Sequence, residues 1–175
     1  MNDKELSRKI EERLYLDHFI QAYEYVTEEL LEIIEERESP DFVCKRQDGT
    51  LIGVELTIIM REPENEFYET TILKKEFIYI YDLIDKAYFL AKKKAEKKQK
   101  DKWPLNNNTI LILLISECPV YELQYYIDET NYEEFSLLGF SEIWLADFTE
   151  FSSYGDVELF GLFSKKWCGY HPRPH

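Results

Sequence analysis

A chain of 175 residues with 45% hydrophobic and 15% aromatic content, including 13 Tyr and 11 Phe, can bury a core and is not a disordered segment. Its formal net charge of −14 disfavours nonspecific attraction to nucleic acid or anionic lipid, although a local basic patch can override the global sign. The three cysteines, Cys44, Cys118 and Cys168, are too few and too scattered for a disulfide framework, and no apolar run approaches the roughly 20 residues that span a bilayer.

The opening residues, Met1-Asn2-Asp3-Lys4-Glu5, lack the apolar centre of a signal peptide, so a cytoplasmic protein without membrane contact is expected. Leu16, Phe19, Tyr23, Val26, Leu30 and Ile33 then recur at steps of three and four, which predicts a helix from about Lys4 to about Glu36. Its last part, Leu31 to Glu36, reads equally as helix or as a short strand, and Pro40 stops any helix from running on. Phe42–Lys45 and Leu51–Ile59 read as a hairpin, with an Asp48-Gly49 turn signal between them. A long helix is expected from about Phe67 to about Lys100, with Phe77, Ile80, Ile84, Ala87, Ala91 and Ala95 as its inner stripe and a lysine run at its end. Thr109 to Ser116 is an unbroken apolar run, the mark of a strand covered on both faces. A further helix over about Val120 to Glu134 precedes two strands, Glu142–Asp147 and Val157–Phe163. The interleaving predicts one α/β domain over residues 1–175, a mixed β-sheet flanked by helices, with residues 165–175 an irregular tail.

Asp41 opens one predicted strand, and Glu55 lies deep in the next, among Ile52, Val54, Leu56, Ile58 and Ile59. A carboxylate in so apolar a run needs a partner, because an unpaired buried charge is costly. Carboxylates on paired strands can aim at one point and share a hard divalent cation. The plainer reading has Asp41 starting a turn and Glu55 on a solvated face.

Helix, Pro40-Asp41, hairpin, Glu55, long helix and buried strand, taken together, resemble the PD-(D/E)xK nuclease superfamily, with its restriction-endonuclease-like fold, over about residues 5 to 163. Gly53-Val54-Glu55-Leu56-Thr57 looks closest to branches with Glu-x-Thr in place of Glu-x-Lys. The resemblance implies metal-dependent hydrolysis of DNA phosphodiesters. Asp41, Glu55 and the carbonyl of Leu56 would hold magnesium or manganese. Thr57 stands where the motif lysine would stabilise developing negative charge. The resemblance allows a lysine from the following helix to take over, and the candidates are Lys86 and the run Lys92 to Lys98. Lys94, three residues after Ala91 and seven after Ala87, borders the inner stripe and is selected; otherwise it belongs to a solvated basic helix end. A further acid from the first helix is implied, Glu12 or alternatively Glu29. Homodimerisation stays open.

Two other readings remain. In one, the fold is kept without catalysis, as an acidic binding protein of immunity, antitoxin or DNA-mimic type. In the other, an unrelated scaffold carries the motif by accident, which requires Glu55 to face solvent. Cys168, His171 and His175 have ligand-like spacing but fit a terminal tail better, and His18 reads as an ordinary helix residue.

Overall fold

A computed structural model describes residues 2–59, 80–149 and 156–173. Asn2 caps the first helix, α1 (Asp3–Thr27), by accepting the Glu5 amide at 2.9 Å. The helix ends where the Thr27 hydroxyl bonds back to the Tyr23 carbonyl (2.7 Å) and Glu28 adopts a left-handed φ of 61°. That exit decides the ambiguous stretch: Leu31–Glu36 is a strand, β1, and not the last turns of the helix. Its Ile33 sits opposite Cys44 of β2 (Phe42–Arg46). β2 and β3 (Leu51–Ile58) form the expected hairpin, closed by Asp48, which accepts the Thr50 amide, and by Gly49 at φ 89°.

α2 (Ile80–Lys100) leads to β4 (Thr109–Ile115), which lies parallel to β3 and is buried at every residue. The part of this helix expected over residues 67–79 lies outside the described residues. The helix expected over Val120–Glu134 is two pieces, a 3-10 turn (Val120–Tyr125) and α3 (Glu129–Ser136). Asp128 causes the break, because its carboxylate caps Asn131 while the Asn131 side chain accepts the Asp128 amide. β5 (Glu142–Asp147) is parallel to β4, and β6 (Glu158–Phe163) is antiparallel to β5. The tail expected to be irregular instead adds β7 (Gly169–His171), antiparallel to β6, so the mixed sheet has seven strands in the order 1 to 7. None of the described helices is long and apolar enough to cross a membrane.

Strand alternation divides the core. Even-numbered side chains such as Val54, Leu56, Ile112 and Trp144 meet Leu16, Phe19 and Tyr23 of α1. Odd-numbered ones such as Leu111, Leu113 and Leu145 meet Leu83, Ala87 and Ala91 of α2. Glu55, paired with Leu111 in the ladder, therefore points to the α2 side.

Gly53 makes the close packing before Asp41 possible. A Cβ there would lie 2.8 Å from Cγ of buried Pro40 and 2.9 Å from Oγ1 of buried Thr109. Gly53→Ala must displace one of these rigid neighbours, and a loss of about 1–3 kcal/mol is expected in denaturant unfolding. An unchanged midpoint would show that this approach is not tight.

Candidate active site

Proline has no amide to donate to a ladder, and the β2–β3 pairing ends at Phe42↔Val54, just past Pro40. One step further, the same register sets Asp41 opposite Glu55, with both side chains on the α2 face. Each carboxylate reaches across to the other strand's main chain. The Asp41 amide donates to Glu55 Oε2 at 3.1 Å, and the Leu56 amide donates to Asp41 Oδ2 at 2.9 Å. Glu55 is only 2% exposed, so it does not face solvent as the accidental reading requires.

α2 supplies the counter-charge. Lys94 Nζ donates to Glu55 Oε1 at 2.8 Å, while its own side chain stays 24% exposed. Thr57, next on the same strand face, lines a groove together with Lys94, so the helix lysine lies beside the threonine of the motif. Leu56 adjoins the pair through its amide, which Asp41 takes up.

The electrostatics follow from this crowding. Burial first, and then the facing charge of Glu55, push the Asp41 carboxyl up to about 7, against the Leu56 amide, Lys94 and Arg8. Glu12 of α1 is half-buried, ion-paired to Arg8 at 3.6 Å. Its pKa is raised by burial and then by Asp41, and lowered by Arg8, Lys9 and Lys94. Glu12 thus shares the field of Asp41 and Lys94.

The other sequence candidates are placed elsewhere. Glu29 accepts from Arg46 at 2.9 Å, at the far end of β2, which is about 16 Å from Asp41 at 3.3 Å per residue. Lys98 is fully buried and donates to Asn106 and to the Gly139 carbonyl, tying the end of α2 to the start of β5. Cys168 and His171 each bond a main-chain carbonyl, of Ser164 and Trp167, and His175 lies outside the described residues.

One polar cluster was not foreseen. Glu142 accepts from Tyr23 Oη (2.9 Å), Arg46 Nη2 (2.8 Å) and Trp144 Nε1 (3.0 Å), and so ties α1, β2 and β5 together. Residues 119 positions apart in the chain offer no spacing signal for such a contact.

Among the described residues, no group of three or more His, Cys, Asp and Glu side chains stands ready to enclose a metal ion. The donor chemistry nonetheless fits a hard divalent cation. Two facing carboxylates repel each other, which adds to burial in raising Asp41, and Asp41 Oδ2, Glu55 Oε1 and Glu55 Oε2 keep lone pairs beyond their amide or ammonium partners. No family model, no curated protein and no solved structure matches this chain.

Proposed function

We propose that the chain is a metal-dependent phosphodiesterase of the PD-(D/E)xK type, acting on DNA. The observation that carries this is the Asp41–Glu55 pair at the head of the hairpin with the Lys94 ammonium 2.8 Å from Glu55. The element order supports it: α1, the β2–β3 hairpin that carries Asp41 and Glu55, α2 and the buried β4 follow one another in the order on which the resemblance rests.

In this reading Asp41 and Glu55 hold magnesium or manganese, with Leu56 lending its carbonyl and Glu12 adding a fourth oxygen source. What the ion supplies, when bound, is Lewis acidity toward water and a phosphate oxygen. Lys94 pairs with Glu55 at 2.8 Å and offers positive charge to an entering phosphate, the part Thr57 cannot play. Asp41, held up near neutrality by burial and then by Glu55, is the group that must lose its proton before the pair can bind a cation.

Calorimetric titration with manganese tests the site. A saturable heat is expected for the wild-type protein and is expected to vanish in both Asp41→Ala and Glu55→Ala. Unchanged binding in either variant removes the shared site. A second reading, an acidic binding protein on the same fold, draws on the net charge of −14 and on a Lys94–Glu55 pair that is complete without metal. It expects no heat in the wild type and no cleavage of DNA in the presence of manganese.

A further inference from the structure

The solvent side of α2 carries a row of cations that begins at an exposed aromatic ring. Phe89, Lys93, Lys97 and Lys100 follow one another at helical steps of four, four and three, on the side opposite buried Ala87, Ala91 and Ala95. All four are exposed, and Phe89 keeps 61% of its surface in water. Lys93, Lys97 and Lys100 line a groove of about 590 Å³ together with Thr57 of β3. The groove adjoins the candidate active site through Lys94, which is both part of its wall and the partner of Glu55. Glu96 and Asp101 share the wall, so four ammonium groups face two carboxylates there, in a chain that is otherwise strongly acidic.

Cations recurring about every 6 Å along a helix make a track for phosphates. An exposed ring beside such a track can stack on the face of a base. A duplex hides its base faces in the stack, whereas a single strand presents them. The volume falls within the roughly 300–1,000 Å³ typical of ligand sites. We infer that this groove binds a single-stranded polynucleotide, its phosphates on Lys93, Lys97 and Lys100 and a base stacked on Phe89. The inference rests on the reading of Asp41 and Glu55 as a phosphodiesterase site and narrows its substrate to an unpaired strand, or an unpaired end or flap of a duplex.

Fluorescence anisotropy in metal-free buffer tests it, with a labelled oligo-dT, an oligo-U of equal length and a duplex of equal length. The single strand is expected to bind at least about tenfold tighter than the duplex. Phe89→Ala is expected to weaken it about 5- to 100-fold. The combined Lys93→Gln, Lys97→Gln, Lys100→Gln variant is expected to lower the slope of log K against log salt by about 2, from three lost contacts at about 0.7 each. Comparison of the oligo-dT and oligo-U arms assigns the sugar. Duplex binding as tight as strand binding overturns the inference, and so does binding that neither the ring nor the lysine variants alter. Cleavage with manganese separates the two claims. A strand that binds through these residues but is never cut leaves the track and sinks the hydrolytic reading. A duplex cut at the wild-type rate by the triple lysine variant does the reverse.

Discussion

Lys94→Ala is expected to destabilise the protein by about 2–3 kcal/mol. Removing one partner of a buried ion pair typically costs about 3–5 kcal/mol, because the remaining charge keeps its desolvation penalty. Glu55 is such a charge at 2% exposure, but Lys94 is 24% exposed, so water entering the vacated space softens the loss. Adding Glu55→Gln to Lys94→Ala should restore most of that stability, since the orphaned charge is then gone. Denaturant unfolding of the four members of this cycle reads the coupling directly. Equal stability of Lys94→Ala and wild type would mean that the pair is not formed in solution. The same variant should lose about 10²- to 10³-fold in phosphodiester cleavage, the usual range for deleting one charge-stabilising donor. Thr57→Lys in the Lys94→Ala background then becomes informative. Thr57 lines the groove beside Lys94, so a lysine there can present its ammonium to the same region from β3 instead of α2. Recovery of part of the lost rate is expected, and none would argue that Lys94 acts only by stabilising the fold.

Some of this site could be read along the chain, because its parts are fixed by short-range geometry. The Asp48-Gly49 turn sets the hairpin register, and that register alone puts Asp41 opposite Glu55. The helical stripe Ala87, Ala91 and Ala95 places Lys94 at the border of the buried face, within reach of the neighbouring strand. The all-apolar β4 announces a strand covered on both sides. What could not be read depends on tertiary placement. In the sequence Glu12 and Glu29 border one helical stripe, and only the end of α1 at Thr27 and the packing of that helix on the sheet put Glu12 near Asp41 and Glu29 beside Arg46. Leu31–Glu36 has the composition of either element, and the Thr27–Glu28 exit together with pairing to β2 makes it a strand. The three residues of β7 hold their place only because β6 is there to pair with. The Tyr23–Arg46–Glu142 cluster joins three elements distant in sequence, and no local pattern encodes it.

Asp41→Asn is expected to stabilise the protein at pH 8 while abolishing cleavage. The Asp41 carboxyl titrates at about 7 in the folded chain, against an ordinary 3.8, because it is buried and faces Glu55. Between about pH 4 and pH 7 the folded state therefore holds a proton that the unfolded chain has released. Stability falls with rising pH wherever the native state binds the extra proton, so the wild type should weaken across that window and level off above it. Each pKa unit is worth about 1.4 kcal/mol, so a rise from 3.8 to about 7 puts the loss at about 4 kcal/mol by pH 8. Asparagine cannot ionise, yet its oxygen can still accept the Leu56 amide and its NH₂ can donate to Glu55. The variant should match the wild type near pH 4, at the foot of the window, and exceed it by about 4 kcal/mol at pH 8. Unfolding curves at several pH values test this, and a variant that weakens as steeply as the wild type would locate the titrating group elsewhere. Manganese should close most of that gap. At a hundredfold excess over its Kd, a ligand of the native state adds about 2.7 kcal/mol, and only the protein with both carboxylates can gain it. If manganese stabilises Asp41→Asn as much as the wild type, the facing carboxylates are not where it binds.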